Sequence, residues 1–191
     1  MGFVSRPHTS HSVVRVSLLS DHAAAGVPPG VAKRFGVFAA KATAAATVAS
    51  AAQLTLASRL VTGMMRAPFM VGATAANARI VTAAGSFEMV VLAGPNGICV
   101  GGAVPEGSGP LAKITVGTSD CNTVASAEAG GIGVVGYDPT GGNAIAFGLV
   151  LYGHASISFV TAEGTQRVPI VDNVYHAPDL PGYRGKSTWN R

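Results

Sequence analysis

Short apolar runs separated by turn residues dominate the chain after Pro68, and they restrict its fold more than any other feature. Asn96-Gly97 lies between two such runs, and both residues tolerate the positive φ of a tight hairpin turn. Further runs follow at intervals of about 8 to 15 residues, separated by turn sequences such as "TGGN" and "EGTQ". About eight strands at this spacing predict a mainly β domain over residues 67–176, either a sandwich or a barrel. Of these we expect an antiparallel, jelly-roll-like β-sandwich.

The run "AIAFGLVLYGHASISFVTA" within this domain has two parts with different patterns. From His154 onward apolar and polar residues alternate, so we expect Ile157 and Phe159 in the core, and His154, Ser156 and Ser158 on the outer or interface face. The preceding residues, 145–152, are apolar on both sides, although a sandwich strand needs only one apolar face. Their second face therefore needs a cover, which an arm, a helix or a neighbouring subunit would supply.

The two halves of the chain differ in charge. Residues 1–66 hold seven Lys or Arg and one acid, whereas residues 67–191 hold six basic and eight acidic side chains. We therefore expect a basic N-terminal arm over 1–66, in which Ala-rich sequence with helical spacing predicts a helix over 35–62. The last segment, 177–191, is expected to be an extended basic tail.

Three interpretations of the basic half remain open: an arm that neutralises nucleic-acid phosphates, an organelle targeting segment, or a solvated basic face. On the first, deletion of residues 1–34 would remove nucleic-acid binding and leave the β domain folded. The candidate nucleic-acid-binding residues are Arg6, Arg15, Lys33, Arg34 and Lys41.

The low content of charged residues indicates extensive contact surfaces. Charged residues make up 12% of the chain and the mean hydropathy is +0.40, whereas ordinary soluble domains carry roughly 25% charged residues. No run reaches the ~18 apolar residues of a membrane-spanning helix, so we expect no transmembrane segment. Self-assembly through copies of the same chain is the preferred explanation.

The two cysteines, Cys99 and Cys121, form no CxxC pair and have apolar or small neighbours. This pattern favours two reduced thiols in or near the core over a disulfide or a metal site, which fits a reducing compartment.

Several catalytic or binding motifs are matched only superficially. "GIGVVG" at 131–136 satisfies the dinucleotide pattern, but Pro139 and two glycines follow where a helix would have to begin, so a strand is expected. "LPGYRGKST" lacks the first glycine of a phosphate-binding loop, and "HTSH" at 8–11 lacks the further ligands of a metal site. The sequence therefore predicts no catalytic, cofactor-binding or metal-binding residue and no enzyme.

The layout of a basic arm followed by a low-charge β domain resembles the coat proteins of small icosahedral viruses. The resemblance is carried by the arm at 1–66, by "SFEMVVLAGPNGICVGGAVPEGSG" as a central strand pair and by "GLVLYGHASISFVT" as a late strand. It implies a structural, self-assembling virion protein whose arm contacts nucleic acid or neighbouring subunits. The alternative is an accessory structural subunit of a mitochondrial or plastid complex, which the acid-poor N-terminus suggests.

Overall fold

The computed structural model describes most of the chain: residues 15–18, 27–39, 43–44, 51–82, 88–106, 113–137, 143–151 and 153–191. Its strands are β1 (Arg15–Leu18), β2 (Thr43–Ala44), β3 (Ala78–Thr82), β4 (Glu88–Ala93), β5 (Gly97–Glu106), β6 (Lys113–Thr123), β7 (Ile132–Tyr137), β8 (Ala144–Leu149), β9 (Ser156–Thr161), β10 (Gly164–Pro169), β11 (Val174–Leu180) and β12 (Ser187–Asn190). Its α-helices are α1 (Pro29–Arg34), α2 (Gly36–Ala39), α3 (Ala51–Met64) and α4 (Val124–Gly130), and short 3₁₀ turns occupy Pro68–Met70 and Ala75–Asn77.

The strands form three sheets. The first sheet has the order β2-β1-β3-β4-β5-β6, the second β11-β8-β7 and the third β10-β9-β12. Among the described strands, β1 and β2 pair in parallel and the other neighbours pair antiparallel. The expected mainly β fold with antiparallel sheets is therefore confirmed.

The hairpin predicted at Asn96-Gly97 joins β4 to β5. The backbone N–H of Gly94 donates to the Gly97 carbonyl at 2.8 Å, and Ala93 pairs with Ile98 directly beyond the turn. The "GIGVVG" run also takes its expected form, since residues 132–136 belong to strand β7.

The sheets lie in layers, with a separate apolar cluster at each junction. Helix α3 covers one face of the first sheet, the opposite face of that sheet packs on the second sheet, and the far side of the second sheet packs on the third. Representative buried residues of the three junctions are, in that order, Val61 with Ile80, Val91 with Phe147, and Ala146 with Phe159.

Strand β8 is apolar on both faces because it lies in the central layer. Phe147 and Leu149 point toward the first sheet and helices α1 and α2, whereas Ala144 and Ala146 point toward the third sheet. The second apolar face is thus covered by the chain's own helices and sheets, and it needs no neighbouring subunit. Tyr152, the last residue of the predicted two-faced run, lies outside the described residues.

Glycine is required in β7 and β8 by an aromatic ring that lies across them. Gly133, Gly148 and Tyr175 are register partners across β7, β8 and β11. A Cβ atom on Gly148 would lie 2.6 Å from the Tyr175 hydroxyl oxygen, and one on Gly133 would collide with the same hydroxyl. Side chains at these two positions would therefore displace Tyr175 from the junction between the second and third sheets.

The expected alternation in β9 is confirmed for its apolar face and needs correction on its polar face. Ile157 and Phe159 are buried, with exposures of 1% and 2%. Ser156 is also buried, because the Nε of Arg167 on the neighbouring strand donates to its hydroxyl at 2.6 Å. The outer face of the third sheet is thus closed over Ser156 by a long side chain rather than open to water.

The described part of residues 1–66 is built into the body and does not form a separate arm. Strand β1 pairs with β3, and α1 and α2 place Val31, Phe35 and Val37 in the cluster between the first two sheets. In place of a single helix over 35–62 the structure has α2, ending at Ala39, then Thr43 paired with Ser17 of β1, then α3 from Ala51. Tertiary pairing here overrides the helix preference of alanine.

The C-terminal segment expected as a tail is likewise part of the fold. Strand β11 continues to Leu180, beyond the predicted boundary at 176, and β12 pairs with β9 as an edge of the third sheet. The alternating pattern of β12 is too short to be recognised from the sequence, and its pairing with β9 defines it.

The redox state of the two cysteines is where the structure differs most from the sequence prediction. Cys99 on β5 and Cys121 on β6 are register partners and form a disulfide. The prediction of two reduced thiols is wrong because the 22-residue separation between them gave no local signal, whereas the β5–β6 register places them directly opposite each other. Disulfides are typical of oxidising surroundings.

Candidate functional site

The outer face of α3 carries the most distinctive group of free cations in the described part of the chain. Ala57, Val61 and Met64 of this helix are buried against the first sheet. Because residues three and four apart share a helix face, the opposite side carries residues of another kind. These exposed residues are Thr55, Ser58, Arg59, Thr62 and Gly63, with Arg66 just beyond the helix end.

Together with Leu54, these residues line an open, shallow groove of about 620 Å³ on the outer side of the helix. Its lining residues run from Leu54 to Arg66, which corresponds to a length of about 18 Å at the rise of an α-helix. Arg59 lies within α3 and Arg66 in the turn that follows Met64, and both residues line the groove. The groove is therefore elongated and has two cations along its length.

No carboxylate of the surrounding sequence neutralises this groove. Residues 22–87 contain no Asp or Glu, although they include Arg59 and Arg66. In the described part of the chain, the ion pair that forms joins Arg34 to Glu128, at the ends of α1 and α4. Neither groove arginine takes part in an ion pair there, so both guanidinium groups are available to a ligand.

Two hydroxyl groups in the groove are already oriented by the helix. Ser58 donates its proton to the Leu54 carbonyl, and Thr62 donates to the Ser58 carbonyl, both at 2.8 Å. Their oxygen lone pairs therefore face outward as hydrogen-bond acceptors.

Of the five predicted nucleic-acid-binding residues, the structure describes Arg15, Lys33 and Arg34. Arg6 and Lys41 lie outside the described residues, and Arg15 lies in β1. Lys33 and Arg34 are exposed in the last turn of α1, where Arg34 is paired with Glu128. Because α1 packs between the first and second sheets while α3 covers the other side of the first sheet, these two cations and the α3 groove lie on different faces.

Arg59 and Arg66 belong to the basic half of the sequence, but they are not among the nucleic-acid-binding residues predicted from it. Two signals were present: the spacing of seven residues between them and the absence of acids over 22–87. What the sequence lacked was the boundary of α3, which determines the face on which they lie.

An aromatic cluster fills the junction between the second and third sheets. Phe159 contacts Tyr175 and Tyr183 at ring distances of 6.0 and 5.7 Å, and Tyr175 contacts Trp189 at 5.7 Å. Burial, with a smaller contribution from Tyr183, raises the pKa of Tyr175 well above its usual range. This tyrosine stays neutral and serves as a packing group.

Three other buried polar groups are notable. Burial lowers the pKa of His176 to about 4. Burial also lowers the pKa of Arg79, whose NH1 nitrogen donates to the Ala76 and Ala78 carbonyls and whose Nε has no hydrogen-bond partner. The Nδ1 of His154 is buried and also has none, although its ring lies 5.8 Å from that of Trp189. Within the described residues, no three His, Cys, Asp or Glu side chains are grouped closely enough to hold a metal ion.

A second surface, here called the apolar end, lies where the β4–β5 hairpin meets the 3₁₀ turn that follows α3. It consists of Pro68, Phe69, Val71 and Pro95. A Cβ atom on Gly97 would lie 2.7 Å from the Phe69 ring, which shows how closely this turn sits on the hairpin. Val71 is 75% exposed, and residues 67–78 and 89–105 contain no charged residue.

Comparison with protein-family models, curated proteins and solved structures finds no match for this chain. None of the helices in the described segments is both long enough and apolar enough to cross a membrane.

Proposed function

We propose that this chain is a structural subunit that assembles with copies of itself, and that the apolar end forms the contact. The observation that carries the proposal is the 75% exposure of Val71 within a surface that contains no charge. Exposed apolar patches of this kind mark sites of protein interaction.

A second copy is the occupant that this surface suits best. A two-fold contact places the same patch of each subunit against its copy, so a charged patch would repel itself. The apolar end carries no charge and contains Pro68, Phe69 and Pro95 around Val71. Two copies can therefore meet at this surface without bringing like charges together.

Within this proposal the chain is a coat protein or another component of a virus particle, and its expected location is the virion. The layered antiparallel sheets support the sandwich part of the expected fold. The jelly-roll part has less support, because β3 to β6 are neighbours in chain order, whereas a jelly roll is built from Greek keys.

Contact between the N-terminal cations and nucleic acid belongs to the same proposal. The alternative, an accessory subunit of a mitochondrial or plastid complex, shares the self-associating surface only if that complex contains several copies.

The test replaces Val71 by Asp. The side chain is exposed in a turn, so we expect the variant to fold, as checked by circular dichroism, and to sediment as a smaller species than the unmodified chain. Two carboxylates brought together at a two-fold contact would repel each other at low ionic strength. Val171→Asp serves as the matched control, because Val171 is also exposed, at 39%, and precedes β11 on another part of the surface.

Sedimentation velocity and electron microscopy give the result. The proposal requires particles or oligomers from the unmodified chain and from Val171→Asp, and smaller species from Val71→Asp. A monomeric unmodified chain, or association that persists in Val71→Asp, would overturn it.

A further inference from the structure

We infer that the groove along α3 binds the sugar–phosphate backbone of a single-stranded nucleic acid through Arg59 and Arg66. The inference adds a ligand to the proposed assembly and rests on that proposal for its biological setting. The binding itself is a property of one chain and is measured separately from self-association.

The charge of the groove selects an anion. Arg59 and Arg66 take part in no ion pair in the described part of the chain, and no Asp or Glu occurs between residues 22 and 87. A guanidinium group presents a planar fork of N–H donors that matches a phosphate, and it is more weakly hydrated than a lysine ammonium.

The length of the groove favours an extended polyanion over a compact anion. Its lining residues run from Leu54 in α3 to Arg66 in the turn after the helix, and one cation lies in each of these two parts. A strand lying along the helix can place one phosphate at each arginine. The Ser58 and Thr62 hydroxyls beside the arginines donate to the Leu54 and Ser58 carbonyls, and their oxygens keep lone pairs to which the hydroxyl groups of a ribose chain can donate.

The residue types in the groove indicate contact with the backbone and not with the bases. The lining contains no aromatic side chain on which a base could stack. The lining residues all lie on α3 and in the turn after it, so the surface is one-sided and a flexible single strand can follow it along the helix. Binding is therefore independent of sequence.

The two arginines do not contribute equally. Arg66 follows the C-terminal end of α3, where the partial negative charge of the helix offsets part of its attraction for phosphate. Arg59 lies within the helix and is free of this effect, so Arg59→Gln should weaken binding more than Arg66→Gln.

The experiment measures fluorescence anisotropy of labelled oligouridylate and oligodeoxythymidylate with the full chain over a series of salt concentrations. Each phosphate neutralised on a single strand contributes a slope of about −0.7 to log K against log salt. The Arg59→Gln/Arg66→Gln double variant should therefore lose about 1.4 of the slope magnitude. The matched control is Arg184→Gln/Arg191→Gln, which removes the same charge from exposed residues beside β12, on the opposite outer layer.

The outcomes distinguish RNA from single-stranded DNA as the ligand, and they distinguish the groove inference from the proposed self-assembly. Tighter binding of oligouridylate identifies RNA, and equal binding of both strands identifies the phosphodiester alone. Equal losses in the groove and control variants would overturn the inference, as would unchanged oligonucleotide binding by the groove variant. Sedimentation of the groove variant tests assembly independently: if it still self-associates and still binds strands as tightly as the unmodified chain, only the groove inference fails.

Discussion

His176 illustrates how the environment of one residue couples stability to pH. Its imidazole lies on β11 and is largely buried, and the loss of solvation lowers its pKa from 6.5 to about 4. Burial favours the neutral ring because the charged form loses hydration. Between these two pH values the unfolded chain binds a proton at this residue and the folded chain does not.

Stability should consequently fall as the pH drops from about 6.5 to about 4, by at most ~3 kcal/mol from this residue, and level off below that range. Urea denaturation of the full chain at pH 7, 5 and 4 would measure this trend. His176→Gln keeps a polar side chain that cannot be protonated and should flatten the dependence on pH. The same steep dependence in both proteins would assign the effect to other groups.

At the scale of one element, β9 shows how the two faces of a strand differ in their contribution to the free energy of unfolding. Phe159 is 2% exposed and lies among Tyr175 and Tyr183. Ser158 points to the other face, where its hydroxyl accepts a hydrogen bond from Nδ2 of Asn190 at 2.9 Å.

We expect Phe159→Ala to reduce the free energy of unfolding by about 3–5 kcal/mol, because it leaves a cavity at the junction of two sheets. Ser158→Ala should cost only about 0.5–1.5 kcal/mol, the contribution of one hydrogen bond. Chemical denaturation of both variants measures the difference. Similar losses would place the strand one residue out of register, since such a shift exchanges its two faces.

For the whole molecule, the decisive feature is that the N-terminal segment belongs to the core. Strand β1 lies between β2 and β3, and Val31 of α1 is buried between the first two sheets. Removal of both would expose one edge of β3 and part of the apolar junction, where each buried side chain contributes about 1.5–3 kcal/mol.

Deletion of residues 1–34 should therefore abolish the cooperative thermal unfolding transition, contrary to the behaviour of a detachable arm. Deletion of residues 1–14 is the control, because it removes none of the described elements and should preserve that transition. Calorimetry distinguishes the two results. A chain of residues 35–191 that unfolds at the midpoint of the intact protein would restore the arm hypothesis.

The sequence by itself determined the features that depend on neighbouring residues. Asn96-Gly97 specified the β4–β5 turn because both residues accept turn dihedrals at little cost. Alternation of period two placed Ile157 and Phe159 inside because a strand directs successive side chains to opposite faces. Both signals lie within a few residues, so no knowledge of the remaining chain was needed.

Only the tertiary structure decided which distant segments meet. The Cys99–Cys121 disulfide depends on the register of β5 and β6, and the cover over β8 depends on how three sheets stack. The candidate groove needed the end of α3 and its packing on the first sheet before Arg59 and Arg66 could be assigned to one outer face. Pairing of residues far apart in sequence is selected by the burial of the whole chain, and that free energy is not encoded in any local pattern.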